Sequence, residues 1–168
     1  MNSNGQSLLQ IRDLAVEFAT DDGIVQAVNG VSYDVPAGHA IGIVGESGSG
    51  KSVSQLAVMR LVARPAGRIT SGEVLFEGTN LLDLNDAEMR RIRGNQIAMI
   101  FQDPMNSLNP VYTVGKQIEE SLRLHQGVTK IEARARAVEL LDLVGIPSPA
   151  DRIKDYPHQL SGACSNAR

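Results

Sequence analysis

Cysteine is nearly absent. Cys164 stands alone near the C-terminus, which excludes a disulfide framework and a cysteine-based metal site. The three histidines, His39, His125 and His158, are too scattered to form a ligand cluster. No apolar run approaches the roughly 20 residues that a membrane-crossing helix requires. The opening MNSNGQSLLQ lacks the charged and apolar regions of a secretory leader. Charge of one sign is lacking as well: a net charge of −3 over 168 residues gives no basic surface for nucleic acid. Internal repeats and low-complexity segments are missing too. What remains is the composition of an ordinary folded domain, expected in the cytoplasm.

Against that plain background one segment carries chemistry. Gly45, Glu46, Ser47, Gly48, Ser49, Gly50, Lys51 and Ser52 fit the pattern GxxxxGK[ST] at every fixed position. An apolar run, Ala40–Val44, precedes them, and a helix-forming stretch from Ser52 to Val62 follows. This context predicts a buried parallel strand feeding a phosphate-binding loop that a helix N-terminus closes. Phosphate oxygens need several backbone N–H donors converging on one point, and glycines at 45, 48 and 50 let the chain wrap that closely. The helix adds its unpaired N–H groups and the positive end of its dipole. Lys51 is placed to reach the β- and γ-phosphates of ATP, and the Ser52 hydroxyl to ligate Mg²⁺.

The rest of the chain reads as an α/β core followed by helices. Leu8–Phe18 and Ile24–Val35 have strand character around the turn signal Asp21-Asp22-Gly23. Ser71–Gly78 is a further short strand, and the apolar run within Gln96–Phe101 reads as a second buried one. Asn85 with Glu88 marks a helix running through Arg93, Thr113 caps Val114–Gln126, and Thr129 with Glu132 caps Lys130–Val144. Ile131, Ala135, Val138 and Leu141 or Asp142, with Leu140 and Val144 beside them, form a stripe at helical spacing that is expected to pack into a core.

Three further stretches carry a family resemblance: Phe101-Gln102-Asp103-Pro104, Asn106-Ser107-Leu108-Asn109-Pro110, and Tyr156 through Gly162. With the phosphate loop, they resemble an ABC-transporter ATPase. More narrowly, they are similar to the ATP-binding subunits of bacterial dipeptide and oligopeptide importers, the group that includes nickel and glutathione importers. The resemblance implies a P-loop NTPase core with an N-terminal antiparallel β part and a helical subdomain. The divisions expected are an ATP-binding core over residues 1–102, a helical subdomain over 103–162 and an aberrant tail over 163–168. It implies that Phe18 stacks on adenine, that Gln102 contacts Mg²⁺ and the attacking water, and that Ser161 and Gly162, at a helix start, meet the γ-phosphate held by a second subunit. Read without the resemblance, Phe18 is equally an ordinary strand-end core residue and Gln102 a polar strand end. The implied partners are integral-membrane permease subunits, a second ATPase subunit bound head-to-tail and, indirectly, a periplasmic or extracellular solute-binding protein. The implied location is the cytoplasmic face of the membrane.

After Gly162 the text departs from the family. Its signature continues LSGG into a Gln/Arg-rich helix, whereas here Ala163-Cys164-Ser165-Asn166-Ala167-Arg168 follows. The acidic Walker B strand, the catalytic glutamate, the D-loop and the switch histidine do not occur, and His158 precedes the signature. A family-like Gly-Gly-Met-Gln-Gln-Arg-Ala-Met, read after loss of one G from the second glycine codon, yields Gly-Ala-Cys-Ser-Asn-Ala-Arg and a stop. The expectation is therefore a frameshifted, truncated subunit without ATP turnover, short of central strands and poorly soluble. A different P-loop class, such as a kinase or GTPase, is disfavoured because no NKxD guanine motif is present.

Overall fold

The computed structural model describes residues 7–101 and 108–164, with side chains as far as Leu160. It comprises two compact units, Met1–Arg93 and Gly94–Arg168.

The first unit is built on an antiparallel sheet of order β2-β1-β3-β4. Strands β1 (Ser7–Thr20) and β2 (Gly23–Pro36) form a hairpin in which Thr20 faces Gly23 across Asp21 and Asp22. The Thr20 hydroxyl donates to the Gly23 carbonyl at 2.8 Å and tightens the turn. Strand β3 (Gly67–Phe76) pairs with the other edge of β1 and turns through Glu77 and Gly78, both at positive φ, into the short β4 (Thr79–Asn80). A left-handed pair of this kind matches the twist of the strands it joins.

Core selection in this sheet depends on a bulge. Ile11 and Leu14 are both buried, yet three residues apart they belong on opposite faces of a regular strand. The β1–β2 register shifts between them, and Asp13 there takes φ 45, so Leu14 and Val16 return to the inner face. The Ser32 hydroxyl accepts the Asp13 N–H at 2.9 Å, which satisfies the donor that the bulge frees from the ladder. Opposite it, Gly72 at φ 102 passes so near β1 that a Cβ would lie 2.6 Å from the Leu14 Cα.

Helix α1 (Lys51–Val58) buries Ser54, Ala57 and Val58. It stops four residues short of the expected Val62. Arg60 adopts φ 51, its N–H donates to the Ala57 carbonyl, and the Leu61 N–H reaches the Leu56 carbonyl. This is a Schellman ending with arginine where glycine is usual. Helix α2 (Asp86–Ile92) carries the anticipated capping box between Asn85 and Glu88, and Met89 is fully buried.

Helices form the second unit: α3 (Val114–Gln126), α4 (Lys130–Leu143), α5 (Pro149–Arg152) and α6 (Pro157–Cys164). Thr113 caps α3, and Thr129 with Glu132 forms a capping box on α4, as the sequence indicates. Val114, Leu122, Ala133, Ala137, Leu141 and Ile153 make the core. The buried face of α4 is thus Ala133-Ala137-Leu141. Ile131 is 83% exposed and Ala135 is exposed, contrary to the stripe read from the sequence. Of the expected stripe, Leu141 lies in the core and Val138 and Leu140 pack against it, while Ala133 and Ala137 take the places expected for Ile131 and Ala135. Arg134 of α4 holds the nearly buried Glu119 of α3 at 3.2 Å.

Two expected strands are not formed. Ala40–Val44 and Gln96–Phe101 join no ladder, and Val44 and Ile100 are 92% and 97% exposed. A strand without a neighbour has unpaired N–H and C=O groups and no face to bury, so apolarity alone does not make one. Among the described residues, Ala40–Val44 pairs with no segment, and Gln96–Phe101 makes only an isolated bridge at Ile97, whose carbonyl accepts the Gly94 N–H at 2.8 Å.

Candidate phosphate-binding site

The loop from Gly45 to Ser52 leaves the exposed run Ala40–Val44 and closes onto the start of α1. Gly50 caps this helix at φ 84, and a Cβ there would lie 2.1 Å from the Ala27 carbonyl oxygen of β2. Glycine is therefore required twice, once for the left-handed turn and once for the seat against β2. Gly48 also takes a left-handed φ, of 81, in open space. At Gly45 a Cβ would come within 2.9 Å of the Ser49 hydroxyl, inside the hollow of the loop.

Lys51 fills that hollow. Its ammonium donates to the carbonyls of Gly45 (2.7 Å) and Glu46 and to the Ser49 hydroxyl (3.1 Å). A cation ringed by neutral oxygens at the mouth of a helix attracts anions, and phosphate oxygens can take over from the carbonyls. The first turn of α1 contains no acidic residue, so its positive dipole end is not offset. The loop residues Gly45–Ser49 and Ser52 are exposed. Behind them the Ser54 hydroxyl donates to the Lys51 carbonyl at 2.7 Å, and its N–H bonds the Gly50 carbonyl at 2.8 Å. Burial raises the Tyr33 pKa on β2, and a weaker hydrogen bond with Ser54 opposes it. The donor set suits a phosphate chain, since the Lys51 ammonium at its centre can exchange the Gly45 and Glu46 carbonyls for phosphate oxygens. For Mg²⁺ the Ser52 hydroxyl stands exposed beside it. Mg²⁺ normally takes its other ligands from phosphates and water.

The remaining anticipated residues fare differently. Phe18 is half-buried at the end of β1, opposite Val25 and Gly67, where a Cβ on Gly67 would meet its ring at 2.6 Å. Gln102 lies outside the described residues. Ser161 and Gly162 belong to α6, which begins at Pro157. They sit past its first turn instead of at a helix start, so their N–H groups are not among the open donors of the helix end. The seat of Gly50 on the Ala27 carbonyl, and the arginine ending of α1, were not read from the sequence. Neither leaves a local residue signal, since one is a backbone contact across 23 positions and the other replaces the usual glycine.

With this geometry in place, comparison with known proteins is decisive. Residues 28–166 match the family described as ABC transporter. The chain therefore belongs to that family. The oligopeptide transport ATP-binding protein OppD of Bacillus subtilis is 52% identical over 92% of this chain and 43% of its own length. The dipeptide transport ATP-binding protein DppD of Escherichia coli is 50% identical over 95% of this chain and 48% of its own. Among solved structures, the bacterial ABC transporter cassette MJ0796, solved as a dimer, superposes with a TM-score of 0.76 at 28% identity. That match covers 92% of this chain and 63% of the cassette. The same cassette has also been solved bound to ADP and phosphate. The chain spans less than half the length of these two transport relatives. Among the described residues, no helix is long and apolar enough to cross a membrane.

Proposed function

We propose that the chain is the ATP-binding part of an ABC importer subunit for peptides or a related small solute. The observation that carries this reading is the Gly45–Ser52 cradle with Lys51 at its centre, in a chain about half identical to named peptide-transport ATP-binding proteins. ATP lies along the loop, with Lys51 on the β- and γ-phosphates and Ser52 on Mg²⁺. Gln102 completes the metal and water contacts, and Phe18 covers the adenine. Ser161 and Gly162 face the nucleotide of a second subunit in a head-to-tail dimer. Residues 103–162 act as the helical subdomain that docks on membrane permease subunits at the cytoplasmic face, and an external solute-binding protein delivers the cargo.

A second reading concerns turnover. Phosphoryl transfer needs a positioned water as well as a cradle. In this reading the chain is a non-catalytic nucleotide-binding or permease-docking module. Steady-state phosphate release separates the two readings. We expect a rate at background level with nucleotide still bound, and a rate matching a full-length relative, abolished by Lys51→Ala, would refute the module reading. Co-purification with peptide-permease subunits tests the docking role, and its failure with soluble folded chain counts against that role.

A further inference from the structure

Away from the phosphate loop, the first unit carries a pocket of about 430 Å³ lined by Arg60, Arg64, Asp86, Arg90 and Arg93. Four guanidiniums face one carboxylate. Two of them are fixed by the fold. Arg60 donates through Nη1 to the carbonyls of Leu84 and Leu81, and its side chain is only 17% exposed. Arg93 donates through Nε to the Met59 carbonyl at 2.8 Å and through Nη2 to the Arg60 carbonyl at 3.0 Å. These bonds close the left-handed end of α1 and hold the two charges in place against neutral carbonyls.

The other two are not needed by the fold. Arg64 is exposed and makes no hydrogen bond or ion pair among the described residues. Arg90 is exposed and donates only its Nε, to the Asp86 carbonyl at 3.2 Å, which leaves both terminal nitrogens available. Asp86 offsets little of this charge, since its carboxylate is 88% exposed and 3.6 Å from Arg60. A second pocket of about 550 Å³ shares Arg60 and Arg64 and continues along Val62, Pro65, Ile69 and Leu82. An anionic head thus has an arginine chamber, and a less polar body has an adjoining wall.

We propose that this arginine pocket binds a phosphate-type anion, supplied by a phosphorylated small molecule or by a phospholipid headgroup. Guanidinium forks match phosphate oxygens in pairs, which a single carboxylate or chloride does not use fully. Fixed charges at Arg60 and Arg93, with the exposed guanidiniums of Arg64 and Arg90 beside them, give a preformed anion site. It is separate from the ATP loop, because none of its lining residues belongs to Gly45–Ser52.

The test uses the whole chain carrying Lys51→Ala, so that the ATP loop does not capture the probe. Inorganic pyrophosphate is titrated by calorimetry, and vesicles containing phosphatidylglycerol are compared with pure phosphatidylcholine in co-sedimentation. We expect one of the two probes to bind, and R64Q/R90Q to weaken it roughly tenfold or more. Pyrophosphate binding identifies a soluble phosphate source, and vesicle binding alone identifies a headgroup. Asp86→Asn, which removes the one carboxylate, is expected to tighten binding, a gain that misfolding does not mimic. Binding of neither probe, or binding unchanged by R64Q/R90Q, overturns the proposal. With Lys51 intact, R64Q/R90Q is expected to leave ATP binding unaltered.

Discussion

Gly50 shows how much of the site rests on single backbone positions. Its φ of 84 and the 2.1 Å approach to the Ala27 oxygen leave no room for a Cβ. Gly50→Ala is expected to displace the loop from β2, abolish nucleotide binding and destabilise the first unit by about 1–3 kcal/mol. Urea unfolding with a nucleotide titration checks both effects, and a variant that binds ATP normally contradicts the seating argument. Gly115 is the counterpart in the second unit. A Cβ there would lie 2.3 Å from the Ile153 Cγ1 and 2.4 Å from the Ile153 carbonyl oxygen, which accepts the Gly115 N–H at 3.0 Å. Gly115→Ala is therefore expected to push α5 off the start of α3 at a cost of about 1–3 kcal/mol. Thermal unfolding measures it, and an unchanged melting temperature argues against the packing described.

At the scale of elements, the helix starts are where local chemistry decides. The Glu132 carboxylate accepts the Thr129 N–H at 2.8 Å and the Thr129 hydroxyl at 2.7 Å, and these bonds hold its pKa below the ordinary value. A group depressed in the folded state stabilises above its ordinary pKa and loses that contribution as pH falls through the lowered value. Helical signal from α4 should therefore weaken on acidification below about pH 4. Glu132→Gln should blunt that dependence, as circular dichroism against pH can read, and identical profiles contradict the role. The three N-terminal caps, at Asn85, Thr113 and Thr129, were legible in the sequence because donor and acceptor lie within three residues. The end of α1 was not legible, since Arg60 takes a glycine conformation that long-range bonds to Leu81 and Leu84 help to hold. The buried face of α4 was legible in part: Leu141, Val138 and Leu140 pack as the stripe indicates, but Ala133 and Ala137 are buried and Ile131 is not.

For the whole molecule, the phosphate loop and the family were readable because their motifs are contiguous. The two buried strands were misread, since a strand exists only with partners that its own sequence does not name. Ile41, Ile43, Val44, Ile100 and Phe101 are exposed as a result. Exposed apolar residues of this kind predict strong fluorescence of an apolar dye with the isolated chain and low solubility. Weak dye binding to a freely soluble chain would show that these runs are covered. The central claim is that Gly45–Ser52 holds the phosphates of ATP through Lys51, and one binding measurement meets it directly. Titration of a fluorescent ATP analogue with Mg²⁺ into wild-type chain should give saturable one-to-one binding that unlabelled ATP displaces and Lys51→Ala abolishes. Saturable binding that survives Lys51→Ala, or none in the folded wild-type chain, would contradict the account.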